Sequence, residues 1–437
     1  MTLHTAVIGA GWAGCAAAVE LAAAGRRVTL FEAARTPGGR ARQVTVQGLS
    51  LDNGQHILLG AYRESLRLMR QVGIDPDTAL LRLPLQMRYP PGTGMDFVAA
   101  ALPAPLHLAI ALWRASGLSR ADKLALMRFS SAARWMDWRL NTDCSVTELL
   151  ERFNQTDTLL RLMWRPLCIA ALNTPPERAS AQVFLNVLKD SLGARRADSD
   201  MLLPRCDLSS LFPNQAAHFV KQHLGQVQTG TRISAITRHD QGWQLASTGA
   251  IHHADQIVLA TDIGNAATLL APLTDVTALQ ALTHEPITTC YLQYPPDRRL
   301  PEPFHALIDD PEQQHWGQFV FDRGQLDARH DGLFAVVVSV STEAIAAGKA
   351  ALASAIALQL AHAFSRPELT MPIWSQVISE KRATFSCTPG LLRPDSPASL
   401  PGLMLAGDYT TIAYPATIES AVRSGVAAAR ALLARDG

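Results

Sequence analysis

Three things are scarce in this chain of 437 residues: charge of one sign, paired cysteine, and long apolar runs free of breaks. Lysine and arginine number 39 against 38 aspartates and glutamates, a formal net charge of +1. A protein that grips phosphate backbones normally carries a clear basic excess, so nucleic acid is not expected as a partner. The six cysteines, at 15, 144, 168, 206, 290 and 387, are too dispersed for a CxxC metal pair or a small disulfide scaffold. That fits a reduced cytoplasmic chain without a metal site. No basic segment precedes an apolar one at the start, where Thr2-Leu3-His4-Thr5 runs straight into Ala6-Val7-Ile8, so no signal peptide is expected. The most apolar later stretch, 97–118, is broken by Pro103 and Pro105 and carries His107 and Arg114. A membrane span needs about 20 uninterrupted apolar residues. What the chain does have is 48% hydrophobic against 18% charged residues, which excludes disorder. At roughly 100–200 residues per domain its length predicts two domains.

The first 32 residues read as one βαβ unit: a buried strand over 5–8, a turn over 9–14, an alanine-rich helix over 15–24 ended by Gly25, and a strand over 27–31. Residues 52–59 turn through Asn53-Gly54 into an apolar run, 62–83 read as helical, and the Pro/Gly cluster 84–94 reads as a crossover. Helical periodicity dominates 95–205, where Trp113, Trp135, Trp138 and Trp164 are concentrated, and predicts an inserted cap. Alternation over 226–259 predicts a β-meander that feeds a buried strand back to the first sheet. Strands and a helix over 343–364 share 287–385, and the end returns to a buried strand over 402–406 and a final helix over 416–434. The expected class is therefore α/β: a Rossmann-type domain over 1–85, 205–286 and 386–437, interleaved with an α+β substrate domain and helical cap over 86–204 and 287–385.

The strongest local pattern is Gly9-Ala10-Gly11-Trp12-Ala13-Gly14, which lies after a strand, opens a helix and is answered by Glu32 and Ala33 at the end of the next strand. Gly9 permits the tight turn, Gly11 lets backbone approach a pyrophosphate, and Gly14 lets helix and sheet pack closely. Helix N-terminal N–H groups then meet the phosphates. Glu32 would accept hydrogen bonds from an adenosine ribose, and an acid there disfavours a 2′-phosphate. The segment after Glu32 decides between NAD and FAD. Pro37-Gly38-Gly39-Arg40-Ala41-Arg42 can bring backbone and a guanidinium onto the same pyrophosphate. This run is similar to the second FAD segment of the flavin amine oxidase and phytoene desaturase superfamily. Near the other end, Gly407-Asp408 closes a strand where a carboxylate can reach ribityl hydroxyls. The helix opening near Ala416, with Thr417 and Ile418 at its start, can aim its positive end at the flavin N1/C2 carbonyl. The superfamily resemblance further implies that Ile233 passes the adenine, that Ala260 and Thr261 close near the cofactor, and that Asn53, Gly54, Gln55 and His56 lie near the isoalloxazine. No second GxGxxG stands after a strand, so nothing announces an NAD(P)H site.

More closely, the chain resembles the squalene-associated FAD-dependent desaturases, better described as hydroxysqualene dehydroxylases. The segments that carry this are Leu51-Asp52-Asn53-Gly54-Gln55-His56-Ile57-Leu58-Leu59-Gly60-Ala61-Tyr62, Trp164-Arg165-Pro166-Leu167-Cys168-Ile169-Ala170-Ala171-Leu172-Asn173-Thr174-Pro175, Glu380-Lys381-Arg382-Ala383-Thr384-Phe385, and 415–425. The resemblance implies a flavin amine oxidase fold and noncovalent FAD, since no cysteine lies near 407–419. It also implies reduction of hydroxysqualene to squalene in bacterial hopanoid synthesis: water leaves an allylic alcohol, and reduced FAD delivers hydride to the carbocation. A hydrophobic C30 isoprenoid needs a long apolar tunnel, which the cap would supply. Two alternatives stay open, a phytoene-type desaturase running in the opposite direction and a flavin-containing isoprenoid-binding protein without catalysis. An amine substrate is disfavoured, because Thr417 stands where amine oxidases carry an aromatic cage wall. The proton donor is unassigned. Gln55 and His56 are its candidates, with a backbone-satisfied histidine the plainer reading of His56; Asp198 and Asp200 are others, with surface loop charges the plainer reading of both. The electron donor is open as well. The stretch 97–113 leaves two readings, a tunnel mouth resting on the inner face of the membrane and a buried cap helix.

Overall fold

The computed structural model describes residues 3–434 except 194, 241 and 398; Met1, Thr2 and 435–437, the outermost parts of the expected first domain, lie outside the described residues. A fully parallel sheet runs in the order Gln226–Thr229, Arg27–Glu32, His4–Ile8, Gln256–Leu259, Leu403–Leu405. Its inner strands read as unbroken apolar runs because both faces are covered. Val7, Leu30 and Val258 point to the helical side, while Ala6, Ile8, Ile257 and Leu259 point to the side of a three-stranded antiparallel meander carrying Trp243 and Leu245. Each such aliphatic side chain contributes about 1.5–3 kcal/mol by leaving water.

Helix Trp12–Ala23 is buried along most of its length, packed against Ile418–Ala434 and Pro213–Gln222. Its alanines allow the approach: a Cβ on Gly425 would stand 2.0 Å from the Ala13 carbonyl oxygen, so the two helices touch backbone to backbone.

The second layer is an antiparallel sheet in the order Phe304–Ala306, Phe319–Asp322, Leu333–Ser339, His284–Gln293, Trp374–Phe385. Alternation along these strands gives it two apolar faces. Leu292, Val336 and Val338 pack under helix Lys349–Ala363, whereas Tyr291, Ala335, Phe319 and Phe321 belong to the core shared with the helical cap. The cap comprises Leu106–Arg114, Arg120–Trp135, Val146–Arg152, Arg165–Leu172 and Ala181–Leu192, joined by shorter turns. Reciprocal capping boxes, Ser119 with Asp122 and Ser145 with Glu148, fix where two of these helices start.

Several elements differ from the sequence expectation. The first helix starts at Trp12, inside the expected turn. Residues 62–83 form helix Arg63–Gln71, one turn Pro76–Ala79, and strand Leu80–Leu83, which pairs with the distant Met201–Pro204. Pairing partners so remote leave no periodic trace. Gln226–Thr229 joins Arg27–Glu32 as a parallel edge, so the meander proper is Ile233–His239, Gly242–Ser247 and Ala250–Ala254. The helices expected from 343 and 416 start at Lys349 and Ile418.

Candidate active site

Where the parallel strands end, loops from both chain extremes form a cleft of about 390 Å³. Gly9 takes φ +103°, and a Cβ there would lie 2.5 Å from the Ala260 carbonyl oxygen, so only glycine serves. A Cβ on Gly14 would come within 1.8 Å of the Gly9 carbonyl oxygen, which presses helix against turn as the spacing predicts. At Gly11, by contrast, a Cβ would meet nothing nearer than the Gly39 Cα at 3.8 Å. The missing side chain leaves bare backbone beside the start of a helix, a cradle suited to a pyrophosphate. The second turn is stitched on by Gly38 N–H to the Ala10 carbonyl (2.8 Å) and by the Trp12 indole N–H to the Ala41 carbonyl (3.0 Å). The Glu32 carboxylate accepts from Ala10 N–H and Ala34 N–H, both at 2.8 Å, which holds it at the rim with lone pairs to spare.

Arg40 and Asp408, expected on different parts of the cofactor, meet as an ion pair in which Arg40 Nη2 donates to both carboxylate oxygens, at 2.7 and 2.8 Å. Arg40 also donates to the Ala383 carbonyl at 2.6 Å. Burial opposes its charge, but Asp408, with Glu380 and Asp262 adding to it, offsets this and holds the guanidinium above its ordinary pKa. At the final helix, Thr417 Oγ1 accepts from Ser420 N–H (3.1 Å), the pattern of an N-cap, so the positive helix end faces the cleft.

A second cavity, about 620 Å³, lies between the antiparallel sheet and the cap. Trp138, Trp164, Phe97, Phe129, Phe319 and Phe321 are among its walls. Its size falls in the range of about 300–1,000 Å³ usual for ligand pockets. Arg40, His56, Glu380, Ala383, Ala416, Thr417 and Ile418 line both cavities and so form the wall they share.

Of the residues expected to bind a cofactor, Gly9, Gly11, Trp12, Ala13, Glu32, Ala33, Gly39, Arg40, His56, Ile233, Ala260, Thr261, Gly407, Asp408, Thr417 and Ile418 line the first cleft. Asn53, Gly54 and Gln55 line the apolar cavity instead, and Gly14 sits behind the turn. His56 holds the Gly54 carbonyl through Nδ1 at 2.7 Å, the backbone-satisfied arrangement, which puts its proton on Nδ1 and leaves Nε2 an acceptor. Burial, with the Arg40 charge adding to it, lowers its pKa and keeps the ring neutral. The Gln55 amide is pinned by Arg323 Nη1 at 2.9 Å and reaches the His56 carbonyl at 3.2 Å. Beneath this loop the Asp52 carboxyl accepts from Leu208 N–H (2.8 Å), and burial pushes it up to about 7 against the pull of Arg323.

One expectation is corrected. Asp198 and Asp200 are not surface charges: both are buried, and they pair with Arg63 (3.1 Å) and Arg82 (3.0 Å) where the cap meets the first domain. One residue was missed. Glu380, on strand Trp374–Phe385, accepts from Asn53 Nδ2 (3.3 Å) and Arg382 N–H (3.1 Å) in the shared wall. Its segment carried the family resemblance, but no local spacing assigns it a role.

A dinucleotide cleft at the carboxyl ends of a parallel sheet, opening through a common wall into an apolar chamber, defines a flavin-type oxidoreductase. The chain belongs to the flavin-containing amine oxidoreductase family, whose profile matches residues 12–433, and it is an FAD-dependent oxidoreductase. The resemblance read from the sequence is borne out: the chain is 29% identical to the hydroxysqualene dehydroxylase of Rhodopseudomonas palustris, over 99% of this chain and 98% of that one. It is 25% identical to the zeta-carotene desaturase of Synechocystis over 99% and 98% of the two chains. In fold it is similar to cyclohexylamine oxidase from Brevibacterium oxydans, with a TM-score of 0.71, 17% identity, and coverage of 100% and 99%.

Proposed function

We propose that this chain reduces hydroxysqualene to squalene, with FAD held noncovalently in the first cleft and the C30 isoprenoid in the second. The observation that carries the reading is the shared wall, where one carboxyl group, Glu380, stands between a dinucleotide cleft and a large apolar chamber. Glu32 takes the adenosine ribose, with Ala33, Ile233, Ala260 and Thr261 around that half. The backbone at Gly9, Gly11, Trp12, Ala13 and Gly39 meets the pyrophosphate, and Gly14 sets the helix that points at it. Asp408, oriented by Arg40, serves the ribityl chain beside Gly407. Thr417 and Ile418 present the helix end to the flavin ring.

Bound FAD, reduced by an external electron donor, supplies hydride. The residues of the chain do the rest. A proton must reach the departing hydroxyl, and Glu380, the carboxyl group of the shared wall, is the group placed to deliver it. The C–O bond would break and water leave, and the hydride that reduced FAD supplies would quench the allylic cation at carbon. The aromatic walls exclude bulk water that would recapture the cation. His56, neutral and without a proton on Nε2, orients rather than protonates. Gln55 is an amide, so it positions Asn53 and Gly54 through the Arg323 anchor, and Asn53 in turn holds Glu380.

The likeness to zeta-carotene desaturase supports a second reading, in which oxidised FAD takes hydride from a polyene precursor. Anaerobic incubation of dithionite-reduced enzyme with hydroxysqualene, and of oxidised enzyme with phytoene, separates the two by gas chromatography. Squalene in the first incubation supports the proposal; desaturated phytoene without squalene reverses it.

A further inference from the structure

Cap helices Leu106–Arg114 and Arg120–Trp135 are inside out for an ordinary surface pair. Their inner faces are apolar as expected, with Leu112, Leu126 and Phe129 buried against the large cavity. Their outer faces, where polar residues belong, instead carry Leu106, Trp113, Leu124, Met127 and Trp135, with Trp113 78% and Trp135 89% exposed. Leu124, Met127, Arg128 and Trp135 fall at helical spacing and so share one side of their helix. Lys123 Nζ donates to the Trp113 carbonyl at 2.8 Å and ties the two helices together there, which joins their outer faces into one surface. Met127 belongs to both surfaces: it is exposed and also lines the cavity, as does Arg134; half-buried Leu108 lines it too. The chamber therefore opens within this patch.

The charge of these two helices is one-sided. Across 106–135 the chain has Arg114, Arg120, Lys123, Arg128 and Arg134 against a single acid, in a protein whose net charge is only +1. That acid, Asp122, is buried and spent on the Ser119 cap. Arg114, Arg120, Arg128 and Arg134 make no ion pair among the described residues. No helix among the described residues is long and apolar enough to cross a membrane.

We propose that this face docks on a lipid bilayer that carries anionic headgroups, with the two tryptophans and Leu106 in the interfacial layer and the arginines on phosphates, so that the cavity mouth opens into lipid. Large aromatics favour that layer, and each cation near an anionic surface adds to attraction without insertion. Two features together identify the partner: exposed apolar side chains alone would suit a protein, but cations without ion pairs on the same two helices, beside an apolar portal, suit anionic lipid. Entry of substrate through the portal rests on the isoprenoid reading; docking itself does not.

The test is flotation of the FAD-loaded protein with vesicles of phosphatidylcholine alone and of phosphatidylcholine mixed with phosphatidylglycerol. The expected result is flotation with the mixed vesicles and at least about tenfold weaker partitioning to neutral ones, abolished by high salt. Trp113→Ser with Trp135→Ser should weaken binding to mixed vesicles by at least about tenfold, and Arg120→Glu with Arg128→Glu likewise. Turnover of detergent-dispersed hydroxysqualene should stay within about twofold, because none of these four side chains lines the cavity. An unchanged flavin spectrum and melting temperature establish that the variants fold. Failure of the wild type to float, equal flotation by both variants, or a concentration-dependent dimer dissolved by the tryptophan substitutions would overturn the proposal. Flotation without squalene formation would uphold docking and remove the substrate assignment alone.

Discussion

Glu380→Gln separates a proton donor from a structural carboxylate. In the wild type Oε1 accepts from Arg382 N–H and Oε2 from Asn53 Nδ2. The Arg382 N–H is backbone and cannot turn, so the amide carbonyl of the variant keeps that bond and its NH2 group faces Asn53. Asn53 answers by flipping its own amide, which gives up its 3.1 Å donation to the Arg40 carbonyl. One neutral hydrogen bond is exchanged, a cost of about 1 kcal/mol in stability. Loss of a general acid, by contrast, lowers a rate by about 10²–10⁴, or roughly 3–5 kcal/mol of barrier. The variant should therefore keep its yellow colour and melt within a few degrees of wild type. Its single-turnover squalene formation should fall at least a hundredfold. A variant with bound flavin and more than about a third of wild-type rate would refute the assignment of Glu380.

Asp52 makes stability depend on pH. Its folded pKa of about 7 exceeds the ordinary 3.8, so the folded state binds this proton more tightly than the unfolded one. Its contribution is present below about pH 4 and is lost as pH rises toward 7, by up to about 4 kcal/mol. Urea midpoints at pH 5 and 8 should differ less in Asp52→Asn than in wild type; equal differences would refute this. Gly14→Ala drives a methyl into the Gly9 carbonyl and should cost at least about 3 kcal/mol, with loss of bound flavin, read by calorimetry and visible absorbance. Asp408→Asn deprives the partly exposed Arg40 of its charged partner. Stability should fall by only about 1–2 kcal/mol, whereas FAD binding, monitored by flavin fluorescence, should weaken by about tenfold or more.

The dinucleotide half of the site was legible because its chemistry is local. Gly9, Gly11, Gly14 and Glu32 belong to one βαβ unit, and two of their contacts, Gly14 on the Gly9 carbonyl and Glu32 on Ala10 N–H, close within it, although the backbone that presses on Gly9 comes from Ala260. What the sequence hid is pairing at a distance. Arg40 meets Asp408 only because both loops end at the same sheet edge, and no spacing in the chain encodes that. Glu380 has the same history, arriving from an antiparallel strand that returns to the cleft. Asp198 and Asp200 looked like loop charges because their stretch is polar; their burial is owed to Arg63 and Arg82, which reach them from another part of the fold. The four cap tryptophans illustrate the limit of composition: Trp138 and Trp164 line the chamber, while Trp113 and Trp135 turn away from it.

The parallel sheet seats its last strand, Leu403–Leu405, beside one laid down in the middle of the chain, with the oldest strand, His4–Ile8, on that neighbour's other side. During synthesis the cleft thus lacks a wall until residues 403–421 have emerged, long after the glycine-rich turn has formed. Loading of the dye-like cofactor must be one of the final steps of maturation, and ligand captured at that stage fastens early and late segments together. Protease resistance should consequently be acquired in one step, upon flavin uptake, rather than gradually along the ribosome's progress.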